Sequence, residues 1–375
     1  MDLLKIRDQL DVIDKEIVRL FEERMALVRD VAAFKIETGK PVFDKEREGA
    51  KIASVRELAH GEFNEQAVEE LFTQLMTISR RFQYRLLEEH GQTVRLGFKQ
   101  VDHLQMKGAK VVYQGVEGAY SHGAALAYFG DEADVYHVRT FEDAMRAVES
   151  GEADFGVLPI ENSSAGAVSD NYDLLLRHDN VIVGEICIPV NHMLLGIPGA
   201  ALEDIRTVYS HPQALMQSSQ YLNAHPQWQQ FSVANTAVAA KKVLEDQDMS
   251  QAAVASHVAG KLYGLVPLAE GINHNKNNTT RFIILARDHI YCKDAAKISF
   301  CFELPHKSGT LYNMLGNLIY NGVNMRMIES RPILGRNWEY RFFVDIEGNL
   351  GEPSIENALK GVAEEAANMR ILGNY

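Results

Sequence analysis

Eight polar residues within the first 90 positions have the types and spacing to grip a small anion. Arg24 and Lys35 lie 11 residues apart. At about 100° per residue in a helix they share a face to within roughly 20°. Arg7 precedes Arg24 by 17 residues and points about 100° away from it. Asp44, Arg47 and Glu48 fall at i, i+3 and i+4, one face of a following helix. Ser79 and Gln83 share a face of a third in the same way. Guanidinium and ammonium groups bind anions through strong charge-assisted hydrogen bonds. The same charges would also suit a solvated helix surface, and spacing by itself leaves both readings open.

A second set of chemistry-bearing residues begins after residue 110. The motifs are YQGVEGAYSHGAA (113–125), LPIENSSAGAV (158–168), YSHPQALMQSSQYL (209–222), ANTAVAA (234–240) and NNTTRFIIL (277–285). They contain Glu161, Asn162, Ser163, Ser210, Gln213, Gln217, Thr280 and Arg281. Thr280 would also be an ordinary β-branched residue opening a strand, and Asn162 or Ser163 would also suit a helix cap. His122 and His211 lack the ligand spacing of a metal site, so no metal is expected.

Three elements of texture must position these groups. Residues 1–90 carry a helical apolar period: Ile6, Leu10, Ile13, Ile17 and Leu20 step by four and three, and the pattern runs through Leu27, Val31 and Phe34 to Gly39 and Pro41. A helix over 3–38 would be about 50 Å long, more than a small domain can cover, which predicts a partner subunit. Shorter helices are predicted over 44–59 and 64–89. Residues 91–109 have no period and read as a linker. From 110 to 288, short apolar runs (KVVYQG, FGVLPIEN, VIVGEICIPV, RFIILA) alternate with helical stretches, an α/β texture. From Lys297 to the last residue, 375, the order is strand, helix, strand, strand, helix, strand, the α+β ferredoxin-like pattern.

The 375 residues suit two or three domains. Their 46% hydrophobic and 24% charged content is that of a folded chain. A net charge of −13 excludes electrostatic attraction to nucleic acid, so an anionic substrate must be held by local cations. No apolar run approaches the roughly 18–20 residues that span a bilayer. MDLLKIRDQL at the start lacks the apolar core of a signal peptide. Cys187, Cys292 and Cys301 stand far apart, as in a reducing compartment. The cytoplasm is the expected location.

The first segment resembles the all-helical chorismate mutases over nearly its full length. The resemblance implies that Arg7, Arg24, Lys35, Asp44, Arg47, Glu48, Ser79 and Gln83 bind chorismate. Arg7 would come from the second subunit of an intertwined dimer. It implies rearrangement to prephenate without nucleophile, base or cofactor, by holding the compact conformer and stabilising charge on the ether oxygen. Lys35 and Gln83 would donate to that oxygen, and Glu48 would bind the substrate hydroxyl.

The second segment, by its five ordered motifs, resembles the prephenate dehydratases, with two α/β lobes of periplasmic-binding-protein type around a cleft. The resemblance makes Thr280 the catalytic hydroxyl, donating towards the departing ring hydroxyl. Glu161, Asn162, Ser163, Ser210, Gln213 and Gln217 would line the cleft, and Arg281 would hold the retained carboxylate. The third segment resembles an ACT domain. ESRP (Glu329, Ser330, Arg331, Pro332) and Asn324 match its signature, whereas its usual Gly-Ala-Leu-Val reads Gly309, Thr310, Leu311, Tyr312 and keeps only Gly309 and Leu311. L-phenylalanine is the implied effector. Together these make a multidomain bifunctional enzyme of phenylalanine biosynthesis, a homodimer or homotetramer without cofactor. The competing reading is a non-catalytic amino-acid sensor built from a solute-binding-like cleft and an ACT domain; Thr280, Lys35 and Gln83 discriminate against it.

Overall fold

The computed structural model describes residues 2–90, 97–130, 132–333 and 335–375. The chain divides into two compact units, Met1–Leu96 with Phe300–Arg370, and Gly97–Ser299 with Ile371–Tyr375.

In the first unit the predicted helices are α1 (Leu3–Thr38), α2 (Lys45–Arg56) and α3 (Glu62–Glu89). Asp2 caps α1, its carboxylate accepting from the Leu4 N–H at 3.1 Å. Gly39, at φ 67°, closes it in the left-handed region that favours glycine. Asp44 caps α2 by accepting from the Arg47 N–H at 3.0 Å. On α1 only Val28 and Ala32 are buried. Leu10, Ile13, Ile17, Leu20, Leu27 and Phe34 of the apolar seam are exposed. Within this chain, α3 therefore covers only a small part of the stripe that the sequence laid down.

The C-terminal elements follow the predicted order. Strand Lys297–Glu303 is followed by helix Thr310–Tyr320, strands Met325–Pro332 and Tyr340–Glu347, helix Pro353–Glu365 and strand Ala367–Asn374. The strands lie in the order 325–332, 340–347, 297–303, 367–374, as a βαββαβ unit requires. The two helices share a buried layer of Met314, Leu318, Ile355, Ala358, Leu359 and Val362.

The second unit holds two large sheets and a two-stranded one. One runs Val181–Pro189, Thr279–Ala286, Phe155–Asn162, Lys110–Gln114, Asp134–Val138. The other runs Val266–Ala269, Met193–Gly196, Gln251–Ala255, Thr207–Ser210, Gln229–Ser232. The chain passes between them twice, after Pro189 and before Thr279. The first sheet packs on Tyr113, Phe155, Val157, Val183, Phe282 and Ile284. The second has cores on both faces, around Leu195 and Val243 and around Leu194 and Trp228. At the lobe junction Gly118, φ 85°, comes so close to Ala259 that a Cβ would sit 3.2 Å from its Cα. Its carbonyl accepts from Ser256 Oγ at 3.2 Å.

Of the expected linker 91–109, residues 91–96 lie outside the described residues. The remainder corrects that expectation: Lys99–Val101 pairs in parallel with Ile290–Cys292, and Phe98 and Leu104 pack on the first core. A three-residue strand is too short for its alternation to be read locally. Among the described residues no helix is long and apolar enough to cross a membrane.

Phe282 is 1% exposed at the centre of the first core. Phe282→Ala should lower unfolding free energy by about 3–5 kcal/mol, read as a shift of the urea midpoint of the second unit.

Candidate active sites

In the helical segment Arg24, Lys35, Glu48, Ser79 and Gln83 converge on the seam between α1, α2 and α3. Arg24 reaches across to α3, its Nη1 donating to Ser79 Oγ and, at 3.4 Å, to the Leu75 carbonyl. Lys35 Nζ donates to the Val42 carbonyl at 2.6 Å. Burial first, and then the neighbouring Arg47, hold the Lys35 ammonium below its usual range, against the opposing pull of Glu48, Asp44 and Glu364. Burial pushes the Glu48 carboxyl up, against the pull of Arg80 and Lys35. Gln83 is buried, with Nε2 donating to the Ser79 carbonyl at 3.2 Å and Oε1 lacking a partner among the described residues. A buried acceptor left unpaired is costly and marks a place where a ligand can supply the donor. Arg7 is not brought to this seam. It is exposed near the start of α1, roughly 25 Å along the helix from Arg24.

In the α/β segment Thr280 is the second residue of its strand and lies opposite Asn162. Asn162 Nδ2 donates to Thr280 Oγ1 and to Asn278 Oδ1, both at 2.9 Å. Its Oδ1 accepts from the Ser164 and Ala165 N–H groups at 3.0 and 2.9 Å. The two backbone N–H groups can only donate, so they fix which end of the amide carries the oxygen. Thr280 thus receives a donor on its oxygen, and its own proton is left to be given elsewhere. Asn162 caps a turn, not a helix. Ser163 closes the same corner, its Oγ accepting from the Thr279 N–H at 2.9 Å. Ile160 is an extra residue in the ladder between Pro159 and Glu161, a bulge of the kind that re-aims side chains beside active sites.

Gln217, buried on helix Pro212–Gln217, sets its Oε1 2.9 Å from His192 Nε2. His192 Nδ1 lies 3.2 Å from the Tyr120 hydroxyl. Burial lowers the His192 pKa; Nε2 faces the Gln217 oxygen and Nδ1 faces the Tyr120 hydroxyl, which also donates to the Asn191 carbonyl at 3.3 Å. These two groups are joined through the crossovers. The Val190 N–H donates to the Asn278 carbonyl at 2.8 Å, and Asn273 bridges the Val190 carbonyl and the His192 N–H, both at 3.1 Å. Ser210 is fully buried and donates to the Val254 carbonyl at 2.6 Å, at the end of its strand. Gln213 stands in the first turn of the next helix, its N–H donating to His211 Nδ1 at 3.2 Å. His122 Nδ1 accepts from the Gly118 N–H at 3.0 Å. Both histidines hold local backbone.

Arg281 and Glu161 depart from the expectation. Successive strand residues face opposite sides of a sheet, so Arg281 points away from the Thr280 face. Its guanidinium lies 3.4 Å from Glu161 and 3.3 Å from Glu185, and Glu185 also pairs with Lys297. The structure therefore does not place Arg281 beside Thr280 to hold a substrate carboxylate.

In the C-terminal unit Gly309, at φ 81°, starts helix Thr310–Tyr320, and Leu311 lies in its first turn. Glu329, Ser330, Arg331 and Pro332 end the outermost strand, paired to Phe343, Phe342, Arg341 and Tyr340. Asn324 precedes that strand, its carbonyl accepting from the Glu347 N–H at 2.9 Å.

Against known proteins, the chorismate mutase type II family matches residues 6–84 and the prephenate dehydratase family residues 111–290. A bifunctional chorismate mutase/prephenate dehydratase of Enterobacter agglomerans is 34% identical over 380 residues, spanning 100% of this chain and 95% of that one. The chain belongs to the bifunctional chorismate mutase/prephenate dehydratase family. Among solved structures, the prephenate dehydratase of Arthrobacter aurescens in complex with L-Phe is 29% identical at a TM-score of 0.65, covering 71% of this chain and 89% of its own. GqqA, described as a novel type of quorum quenching acylase, is 33% identical at a TM-score of 0.65, covering 71% of this chain and 97% of its own.

Sequence reasoning missed several residues of this mutase–dehydratase chain. Arg80 on α3 is 7% exposed, pairs with Glu48 and stacks over Phe43 at 4.8 Å. Glu364, on helix Pro353–Glu365 of the same unit, lies 3.6 Å from Arg80 and accepts from the Tyr84 hydroxyl. Asn278 and His192 complete the hydrogen bonding of Asn162 and Gln217. Asn278 stood in a motif already singled out; nothing local marked the other three.

Burial above all, with Glu48 and Glu365 adding to it, raises the Glu364 carboxyl to about 8. Its Oε2 is buried without a hydrogen-bond partner among the described residues, as suits a carboxyl that keeps its proton. An unfolded glutamate titrates near 4.3. Between those values the folded chain holds a proton that the unfolded chain has lost, so stability falls as pH rises from about 4.3 to about 8. Urea midpoints of the first unit at pH 6 and pH 8 should show that fall, and Glu364→Gln should flatten it.

Proposed function

We propose that this chain converts chorismate to prephenate on its helical segment and prephenate to phenylpyruvate on its α/β segment. The observation that carries the pairing is a relative of both activities aligned over the whole chain. The GqqA likeness spans only 71% of it and leaves a mutase segment unexplained.

At the mutase site Arg24, Lys35 and Arg47 bind the two carboxylates of the substrate. Lys35 Nζ and a Gln83 amide proton donate to the ether oxygen as its C–O bond breaks. Glu48 accepts from the ring hydroxyl, and the helix caps hold α1 and α2 so that the groups need little reorganisation. Asp44 and Ser79 position Arg47 and Arg24. Arg7 is supplied by a second copy of the chain. At the dehydratase site Thr280 donates towards the leaving hydroxyl of prephenate, with Asn162 holding its oxygen. The ring becomes aromatic as water and carbon dioxide depart. Ser163, Ser210, Gln213 and Gln217 shape the pocket and exclude water from the carboxylate that is lost.

The domains of this reading are a mutase over 1–90, a dehydratase over 110–288 in two lobes of periplasmic-binding-protein type, and an ACT unit over 297–375. L-phenylalanine binds the last through Gly309, Leu311, Asn324 and Glu329–Pro332, and the enzyme works in the cytoplasm within phenylalanine biosynthesis. The exposed seam of α1 pairs with its counterpart in a homodimer, or in a homotetramer made of such pairs.

Thr280→Ala should cut dehydratase turnover by about 10²–10⁴-fold and leave mutase turnover within about twofold. Lys35→Ala should cost the mutase about 10²–10³-fold and spare the dehydratase. Loss of chorismate reads the first step, and alkaline phenylpyruvate absorbance with prephenate supplied reads the second; parallel loss of both by either variant would overturn the two-site reading. Ile13 and Ile17 are 54% and 58% exposed, and covering each in a pair is worth about 1.5–3 kcal/mol. Ile13→Asp with Ile17→Asp should halve the mass seen by sedimentation and abolish mutase turnover while dehydratase turnover persists.

A further inference from the structure

Arg80 belongs to no set of substrate-binding residues derived above, yet it is the most enclosed cation of the mutase seam. Its side chain is 9% exposed. One nitrogen, Nη1, pairs with Oε2 of Glu48, and no hydrogen bond to a described residue occupies the second oxygen of that carboxylate. Nη2 donates to Thr77 Oγ1 at 3.1 Å and to Glu365 Oε1 at 3.4 Å. Nε lies 3.6 Å from Glu364, and the planar head lies over Phe43. Each of the three guanidinium nitrogens therefore faces a carboxylate oxygen within 4 Å, which restrains its plane and, through it, the carboxylate it holds.

We propose that Arg80 is a positioning residue of the mutase reaction: clamped by Thr77, Phe43 and the C-terminal helix, it aims one oxygen of Glu48 into the seam to accept the ring hydroxyl of chorismate. This rests on the reading of Glu48 as the hydroxyl acceptor. A lysine at 80 would keep the charge but lose the fork that touches several partners at once. A glutamine would lose the charge as well. Glu48 is faced by Asp44, the cap of its own helix, by Arg24 and Lys35 from α1, by Arg80 from α3 and by Glu364 from the C-terminal helix. Removing Arg80 takes away the nearest of the cations in that set, so Glu48 would need a higher pH to ionise.

The test uses the full chain and three variants, Arg80→Gln, Arg80→Lys and Glu48→Gln, each assayed for mutase kcat and KM from pH 5 to 9 and for dehydratase turnover on prephenate. Arg80→Gln is expected to lower mutase kcat by about tenfold to 100-fold, with a smaller change in KM, and to move the acid limb of the profile to higher pH. Arg80→Lys should return the limb towards its original pH while recovering only part of kcat. Dehydratase turnover within about twofold of the parent reports a folded chain. If Arg80→Gln fails that check, Arg80→Lys alone decides: full kcat with an unmoved limb overturns the proposal. A normal kcat and limb in Arg80→Gln overturn it directly, provided Glu48→Gln is impaired. A fully active Glu48→Gln overturns the underlying reading of Glu48, and the proposal with it.

Discussion

A cation taken out of water must be given acceptors, and the helical unit is built around that requirement. Arg24, Lys35 and Arg80 are all at least partly enclosed, and each has found an oxygen: Ser79 and Leu75 for the first, the Val42 carbonyl for the second, Glu48 for the third. Unpaired burial of such a group costs several kcal/mol. The acceptors therefore dictate how α1, α2 and α3 meet as firmly as the few buried apolar residues do. The same enclosure keeps these charges strong for a dianionic substrate, despite the net charge of −13.

The dehydratase unit solves a different problem with neutral groups. Asn162 has all of its amide capacity directed, to Thr280 and Asn278 on one side and to two backbone N–H groups on the other. A hydroxyl is a weak acid, and what the fold supplies is direction: with its lone pair engaged, Thr280 has its proton to give. Gln217, His192 and Tyr120 form a second chain, tied to the first through Val190 and Asn273. Both chains depend on the two crossovers between lobes, so the geometry of the site and the angle between the sheets are set by the same short segments.

Glu364 joins the two kinds of chemistry. A carboxylate fixed beside Lys35 would oppose the binding of a dianion. Burial instead holds its proton near neutral pH, so the C-terminal helix can pack against α3 and Arg80 without adding a full negative charge to the mutase seam.

Much was legible locally. The period of Ile6 to Phe34 marked α1, with Gly39 as its stop, and the strand–helix order from Lys297 onward marked the ferredoxin-like pattern, because helix phase, caps and alternation are short-range consequences of residue type. The motifs around Asn162 and Thr280 were found because their residues are neighbours in sequence. Pairing across sequence distance was decided only by the tertiary structure. Arg281 follows Thr280 in the chain, but alternation turns it to the other face, where Glu185 and Glu161 claim it. Nothing in the local sequence singled out Arg80, around which α2 and the C-terminal helix bring Glu48, Glu364 and Glu365. The three-residue strand at Lys99 exists only because Ile290 is there to pair with it. Local sequence sets which conformations and charges are available; which of them become partners depends on contacts between residues far apart in the chain, and no local pattern encodes those.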